Sequence, residues 1–377
     1  MHIGIVTSEF PPDVGGVETY AMEFAKALHA RGHRVDVFVG RNHDTTCAIE
    51  GLTLHPVLAY SRRIDAPILR QYKVDAWHVM NAAHSWLALE TNKPVVVSIH
   101  GNDFLNPYPL SGSLGIHNYR PLWRFSNRLQ PLNRWLARIL TRRLLPRALP
   151  ASRIILSNSQ YTEDVFLAKF PQCRGRTVVA QVGVGACFLN SGTTPKNNTR
   201  PQLLSVARLS EPRKNIGRVL EALQCLNDEF DFNYTVVGEG PLKAPLEAQA
   251  KSLRLENKTT FIGRLPLAGV IEKMQDADLF ILPSSILPDS HEGFGIAYLE
   301  AAACGTPSLA TRQAGAIEAI HDGESGFFVE EPTVDQLVTA LRRVLSNNIV
   351  FDPAQCRQFA HQFSWQKVVE KALPYYE

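Results

Sequence analysis

Residues 277–303 read Ala277-Asp-Leu-Phe-Ile-Leu-Pro283-Ser-Ser-Ile-Leu-Pro-Asp-Ser-His-Glu292-Gly-Phe-Gly295-Ile-Ala-Tyr-Leu-Glu300-Ala-Ala-Ala303. Leu279–Pro283 is a short apolar run of the kind that forms a buried strand, and Gly295–Ala303 is an Ala-rich helix. Working outward, Gln202–Ala207 reads as a strand and Asn215–Leu226 as a helix, then Asn233–Val237 as a strand and Leu242–Leu253 as a helix. Thr259–Ile262 adds a strand, and Val334–Leu345 and Ser364–Leu373 add helices. The first half repeats the scheme, with strands at Ile3–Ser8, Val35–Val39, Ala76–Met80, Pro94–Ile99, Arg153–Ser157 and Thr177–Val182. Strands bounded by helices imply parallel βαβ units with both sheet faces covered. Polar, aperiodic Asn190–Arg200 reads as a linker. The fold class is therefore α/β, as two doubly wound, Rossmann-like domains facing a cleft, with ligands at the carboxyl ends of the strands.

Composition agrees. The 377 residues suit two domains, and 45% hydrophobic content supplies two cores. Net charge is 39 − 36 = +3, so any basic patch is local. Six scattered cysteines show neither CxxC nor zinc spacing, which suits a reduced, cytoplasmic protein. The N-terminus reads as a strand rather than a signal peptide, and no apolar run is long enough to span a membrane.

Four stretches carry chemistry. If Gly293–Gly295 opens a helix, Glu292 and Glu300 lie roughly 12 Å apart along its axis and within ~80° of one face. Backbone N–H groups for a diphosphate would lie between them. That layout suits a nucleotide sugar; the same spacing also fits a surface helix with two solvated glutamates. Arg208-Leu-Ser-Glu-Pro-Arg213-Lys214 occupies the strand-to-helix turn where a dinucleotide-binding domain would carry GxGxxG. Arg208, Lys214 and Arg213 could clamp a departing diphosphate without metal, or form an exposed basic loop. Pro11-Pro-Asp-Val-Gly15-Gly16-Val-Glu18 joins the first strand to the first helix, as a phosphate-approaching loop or a tight turn. Ile99-His100-Gly-Asn-Asp103 ends a buried strand, where His100 could bond a sugar and Asp103 an acceptor hydroxyl, or His100 could be structural.

Two further patterns are weighed differently. Asp276-Ala-Asp278 spells DxD, yet it sits between a helix and a strand, where capping explains it better than metal binding. From Phe104 to Thr162 there is no Asp or Glu but nine arginines, with Arg120, Arg124 and Arg128, and again Arg134, Arg138 and Arg142, at four-residue intervals. Interleaved Leu, Trp and Ile make this a candidate for an anionic membrane surface or a lipid diphosphate, the alternative being a solvated helical face. No nucleic-acid-reading module is present.

Together these motifs resemble the retaining family-4 glycosyltransferases of the GT-B fold, over nearly the whole chain. The resemblance rests on PPDVGGVE, HGND, VARLSEPRKN and, above all, the ordered set from ADLFILPS through EGFGIAYLEAAACGTPSLA to GAIEAIHDGESGFFV. It implies an acceptor-binding domain at 1–187, a donor-binding domain at 188–360, and a terminal helix, 361–377, that rejoins the first domain. It further implies that Glu292 holds donor-sugar hydroxyls, with Gly293, Phe294, Gly295 and Ile296 alongside and backbone N–H groups turned to sugar and phosphate. Glu300 would bind the ribose, Arg208 and Lys214 the diphosphate, and His100 the donor sugar. Gly263–Arg264 would read the base, and Gly15–Gly16 would close over the reaction centre. Five residues separate Arg208 from Lys214 where the family usually has four, so either the turn is longer or Arg213 takes the cation's role. Gly185 replaces a common Asp, and Gly315-Ala316 a common Gly-Gly.

The expected reaction is metal-free, cofactor-free hexosyl transfer with retention, from a GDP- or UDP-sugar to a glycan or lipid-linked acceptor in envelope polysaccharide synthesis. A nucleotide-sugar epimerase and a non-catalytic nucleotide-sugar binder are the rival classes.

Overall fold

The structure, a computed structural model, describes residues 1–12, 15–44, 49–107, 130–192 and 198–377, apart from the side chains of 130–134, 136 and 137. Arg120, Arg124, Arg128 and Cys47 lie outside the described residues. The chain forms two compact units, Met1–Gly183 with Trp365–Glu377, and Val184–Ser364. The boundary therefore falls at 183/184 rather than 187/188, and the returning segment starts at Trp365 rather than 361. Local bonding explains the shift, because Val184 bridges Ser364 and its N–H donates to Phe363 O.

The first unit holds β1 (His2–Val6), β2 (Arg34–Gly40), β3 (Leu52–Leu58), β4 (Ala76–Val79), β5 (Val95–Ile99), β6 (Ile154–Ser157) and β7 (Thr177–Val179). They lie in the order β3-β2-β1-β4-β5-β6-β7, every pairing parallel. The second holds β8 (Gln202–Val206), β9 (Asn233–Val237), β10 (Thr259–Gly263), β11 (Leu279–Leu282), β12 (Ser308–Thr311) and β13 (Gly326–Val329). Their order is β10-β9-β8-β11-β12-β13, again parallel throughout. β3, β12 and β13 add to the expected strands. β3 contains Pro56 and lies at a half-exposed sheet edge, which erases the apolar run that marks a central strand. β12 reads Ser-Leu-Ala-Thr and β13 opens on Gly326, so neither shows the apolar, β-branched run that marks a strand.

Both sheets are doubly wound because the strand order reverses once in each. The reversal lies between β1 and β4 in the first and between β8 and β11 in the second. Adjacent loops there leave on opposite faces and open a crevice at the carboxyl ends of the strands. The loops that follow β8 and β11 are the ones carrying Arg208–Lys214 and Pro283–Glu292. Topology thus brings the two richest sequence motifs together.

The first unit's core includes Val6, Val79, Val97, Ile155, Phe104 and Phe166, all fully shielded. The returning segment completes it. Helix Trp365–Ala372 buries Trp365, Val368, Val369 and Ala372, and packs on helix Gly16–Ala30 with Trp365 edge-on to Tyr20 at 5.1 Å. Arg31 pairs with Glu370, and Lys371 Nζ donates to Val179 O at 2.6 Å. Beyond it, Tyr376 is buried with its hydroxyl 2.5 Å from His78 Nδ1, while His78 Nε2 lies 2.8 Å from Ser98 Oγ. A buried polar chain therefore ties the segment to β4 and β5. No helix among the described residues is long and apolar enough to cross a membrane, and none of the described cysteines forms a disulfide.

Candidate functional site

Glu292 stands in the loop before helix Ile296–Ala303, not on the helix. Gly295 caps that helix in the left-handed region, φ 93°, where an added Cβ would also meet the Tyr298 ring at 2.4 Å. The helical estimate of the Glu292–Glu300 separation therefore does not hold: only Glu300, half-buried near the helix's end, is helical. Gly315 closes the loop from below. Its N–H donates to Glu292 O at 3.1 Å, and a Cβ there would lie 2.3 Å from Gly293 O. This close backbone approach explains why a residue with no side chain serves at 315.

The loop after β8 folds onto Glu292. Pro212–Lys214 form one 3-10 turn, and Asn215 follows at φ 56°, held by Nδ2 bonds to Pro283 O at 2.6 Å and Ser285 Oγ at 2.7 Å. Lys214 Nζ then lies 2.6 Å from Glu292 Oε2, Arg213 Nη1 3.2 Å from it, and Ser284 Oγ donates to it at 3.2 Å. All three converge on one carboxylate oxygen. Glu292 Oε1 takes no hydrogen bond among the described residues. Burial works to raise the Glu292 carboxyl, but Lys214 and Arg213 outweigh it and hold it down at about 2. Burial and the Arg213 charge push neighbouring His291 down to about 4. Tyr298, lifted above the usual tyrosine range by burial, donates to Leu282 O at 2.6 Å.

Arg208 is exposed and borders a hollow with Lys214, Gly217, Leu242, Leu246 and Gln249. Phe294 is buried and Ile296 half-buried at the helix start. Gly263 ends β10, two strands from the switch point, at φ 84° beside the Glu239–Lys243 pair, and exposed Arg264 follows it. In the DxD stretch, Asp278 Oδ2 accepts from Gln202 N–H at 2.8 Å and Asp276 accepts from Asn198 Nδ2 at 3.0 Å. Both bonds tie chain segments together. Among the described residues no cluster of three or more His, Cys, Asp or Glu could hold a metal ion.

In the first unit, Gly15 caps helix Gly16–Ala30 and accepts from Thr19 N–H at 3.0 Å, with Glu18 buried in the first turn. His100 follows β5; its Nε2 bonds Met80 O at 3.0 Å and its ring meets Tyr20 edge-on at 4.6 Å. Since a carbonyl accepts only, Nε2 carries the proton and Nδ1 is the acceptor. Burial lowers the His100 pKa despite the opposing charge of Asp103, favouring the neutral ring. Asp103 corrects an expectation. It is buried, Oδ1 accepts from His100 N–H at 2.9 Å and Oδ2 from Ala82 N–H at 2.8 Å. The carboxylate clasps two loops instead of being presented to an acceptor hydroxyl. Arg134, Arg138 and Arg142 share helix Gln130–Ala151, where Arg138, Arg142 and Trp135 are exposed and Leu145 and Leu149 buried.

The sequence left open whether Arg213 joins the site and overlooked Ser284 and Asn215. Ser284 carried a usable signal, directly following an apolar strand. Asn215 did not, because its left-handed conformation becomes visible only once the turn is built.

Two parallel doubly wound domains, each with a polar loop cluster at its strand ends, define the GT-B class. Residues 190–363 match the family described as glycosyl transferases group 1, and residues 14–185 match glycosyltransferase family 4. The chain belongs to the family-4 glycosyltransferases. It is 33% identical over 145 residues to the amylovoran biosynthesis glycosyltransferase AmsK of Erwinia amylovora, covering 38% of this chain and 35% of that one. A GDP-mannose-dependent alpha-(1-6)-phosphatidylinositol monomannoside mannosyltransferase of Mycolicibacterium smegmatis is 33% identical over 151 residues, 39% of each chain. The matched stretch thus spans well under half the length of these relatives. Among solved structures, Anabaena HepE in complex with UDP-glucose superposes with a TM-score of 0.72 at 18% identity, covering 98% of this chain and 99% of that one.

Proposed function

We propose that the protein transfers a hexose-type sugar, with retention, from a nucleotide diphosphate sugar to a glycan or lipid-linked acceptor in cell-envelope polysaccharide or glycolipid synthesis. The observation that carries this reading is the Glu292 carboxylate, ionised and oriented through Oε2 by two cations at a topological switch point. A carboxylate held by one oxygen can accept donor-sugar hydroxyls with the other. The relatives' names, amylovoran biosynthesis and phosphatidylinositol mannoside mannosyl transfer, support the substrate class.

The anomeric carbon's bond to the diphosphate oxygen breaks, the acceptor oxygen bonds to the same face of that carbon, and the acceptor proton passes to the leaving phosphate. Arg208 and Lys214 carry the growing negative charge, so metal is dispensable. Neutral His100, with Nδ1 as acceptor, takes a donor-sugar hydroxyl, Glu300 the ribose, and Gly263–Arg264 the base. The Gly15–Gly16 loop covers the reacting carbon.

Thermal shift with UDP, GDP and ADP, each with and without magnesium, tests the donor assignment. One nucleotide at a hundred times its Kd should stabilise the protein by about 2.7 kcal/mol, independently of magnesium. If none of the three shifts the melting curve, the donor site is misassigned.

The exposed Arg138 and Arg142, with Trp135, support cytoplasmic work at an anionic membrane face. Binding to vesicles rich in anionic lipid should weaken in high salt and on replacing Arg134, Arg138 and Arg142 by Gln. Binding indifferent to both changes would leave the helix as a solvated face.

A further inference from the structure

The two cations beside Glu292 are held differently. Arg213 is 6% exposed, and its guanidinium bridges two carboxylates, Glu211 Oε2 at 2.6 Å and Glu292 Oε2 at 3.2 Å. Its Nε makes no hydrogen bond among the described residues, so charge pairing with those two acids is what the group does. Its backbone is fixed as well, because Ser285 N–H donates to Arg213 O at 2.8 Å and Asn215 pins the next turn to Pro283 and Ser285. Among the described residues Lys214 has a single ion-pair partner, Glu292, and alone of the two borders the hollow that Arg208 lines. A flexible four-carbon stem with a point charge can move to a phosphate; a guanidinium locked between two acids cannot do so without stranding both.

We propose that Arg213 is a positioning residue for Glu292 and not a ligand of the diphosphate. Lys214 exchanges its carboxylate partner for the donor's phosphate, and Arg213 stays behind to keep Glu292 ionised and aimed at the sugar. This assignment rests on the donor-site reading above. It settles the extra residue between Arg208 and Lys214: the longer turn places Lys214 at the phosphate and buries a second cation behind the acid.

Titration calorimetry on the whole protein separates the roles, using the nucleoside diphosphate that stabilises it and the matching nucleotide sugar, UDP-glucose or GDP-mannose. K214A is expected to weaken the free diphosphate by about 10- to 100-fold. R213Q is expected to leave that affinity within roughly threefold while abolishing the preference for sugar nucleotide over free nucleotide. Among the described residues the other groups that act on Glu292 are Ser284, His291 and Tyr298, while Glu211 pairs with Arg213. In the wild type His291 is held to about 4 chiefly by burial, which R213Q leaves in place, and Tyr298 stays protonated well past neutrality. In R213Q the nucleotide-sugar affinity should therefore fall between pH 8 and 5, where the wild type stays flat. R213K, which keeps the charge, should restore the flat profile, and it carries the test if R213Q does not fold. Equal loss of diphosphate affinity in R213Q and K214A would make Arg213 a phosphate ligand. Unchanged sugar preference in both Arg213 variants would make it merely structural, and a wild type that binds no nucleotide would overturn the donor-site reading itself.

Discussion

Glu292→Gln should slow sugar transfer by roughly 10²- to 10³-fold while leaving nucleotide diphosphate affinity nearly intact. The amide keeps the shape of the side chain but loses the charge that Lys214 and Arg213 surround. Measuring kcat and KM for donor separately makes the point: kcat should fall and KM for the nucleotide sugar should rise, since the sugar loses the carboxylate that accepts its hydroxyls. Near-normal turnover would remove Glu292 from the reaction. Glu292→Ala should add a stability defect, since Arg213 would keep Glu211 but lose its second carboxylate inside the fold. The sign of the linkage is fixed by the lowered Glu292 pKa. Its contribution, about 3 kcal/mol from the shift of the carboxyl from 4.5 to about 2, is present above pH 4.5 and disappears as pH falls toward 2. The alanine variant should therefore melt earlier than wild type at neutral pH and differ less from it in acid.

Acidification alone should unfold the first unit. Burial lowers His78 to about 3 and His84 to about 4, and lowers His100 as well. Below the ordinary histidine value of about 6.5, the unfolded chain takes up protons that these folded rings refuse, so stability falls with pH. Each ring costs about 1.4 kcal/mol per pH unit, and His78 and His84 together cost roughly 7 kcal/mol by pH 4. That is comparable with the whole stability of a domain. All five tryptophans belong to the first unit's sequence segments, with Trp77, Trp86 and Trp365 buried, so intrinsic fluorescence reports this unit alone. The emission should shift to the red between pH 5 and 4. His84→Leu should move that transition to lower pH, because neither His84 ring nitrogen has a hydrogen-bond partner among the described residues. Emission unchanged down to pH 4 would refute the assignment.

How much of this was legible beforehand depended on the length scale of each signal. The central strands announced themselves because parallel strands buried on both faces are almost purely apolar, as in Val95–Ile99. Edge strand β3 and four-residue β12 carried no such mark. The partnership of Arg213 and Lys214 with Glu292 joins residues 78 or 79 positions apart, and only the strand order β8-β11 makes them neighbours. Motif reading found both halves and could not say which cation lay inside. Asp103 was legible as a residue at a strand end, yet its two backbone partners, at 82 and 100, belong to different loops. Side-chain chemistry was visible in the sequence; who holds whom was a matter of topology.

The place of residues Trp365–Glu377 has a consequence for biosynthesis. Most of the first unit is made before the second, yet it is completed only when Trp365–Glu377, made after the second, arrive. At ordinary elongation rates the intervening unit takes roughly 10 to 40 s to make. Through that interval the surface of helix Gly16–Ala30 that receives Trp365, and the His78 nitrogen that receives Tyr376, face the translation machinery's surroundings uncovered. The second unit, continuous in sequence, can close first. The second unit can therefore mature before the first, which spends that time with one face of helix Gly16–Ala30 lacking its late-made partner.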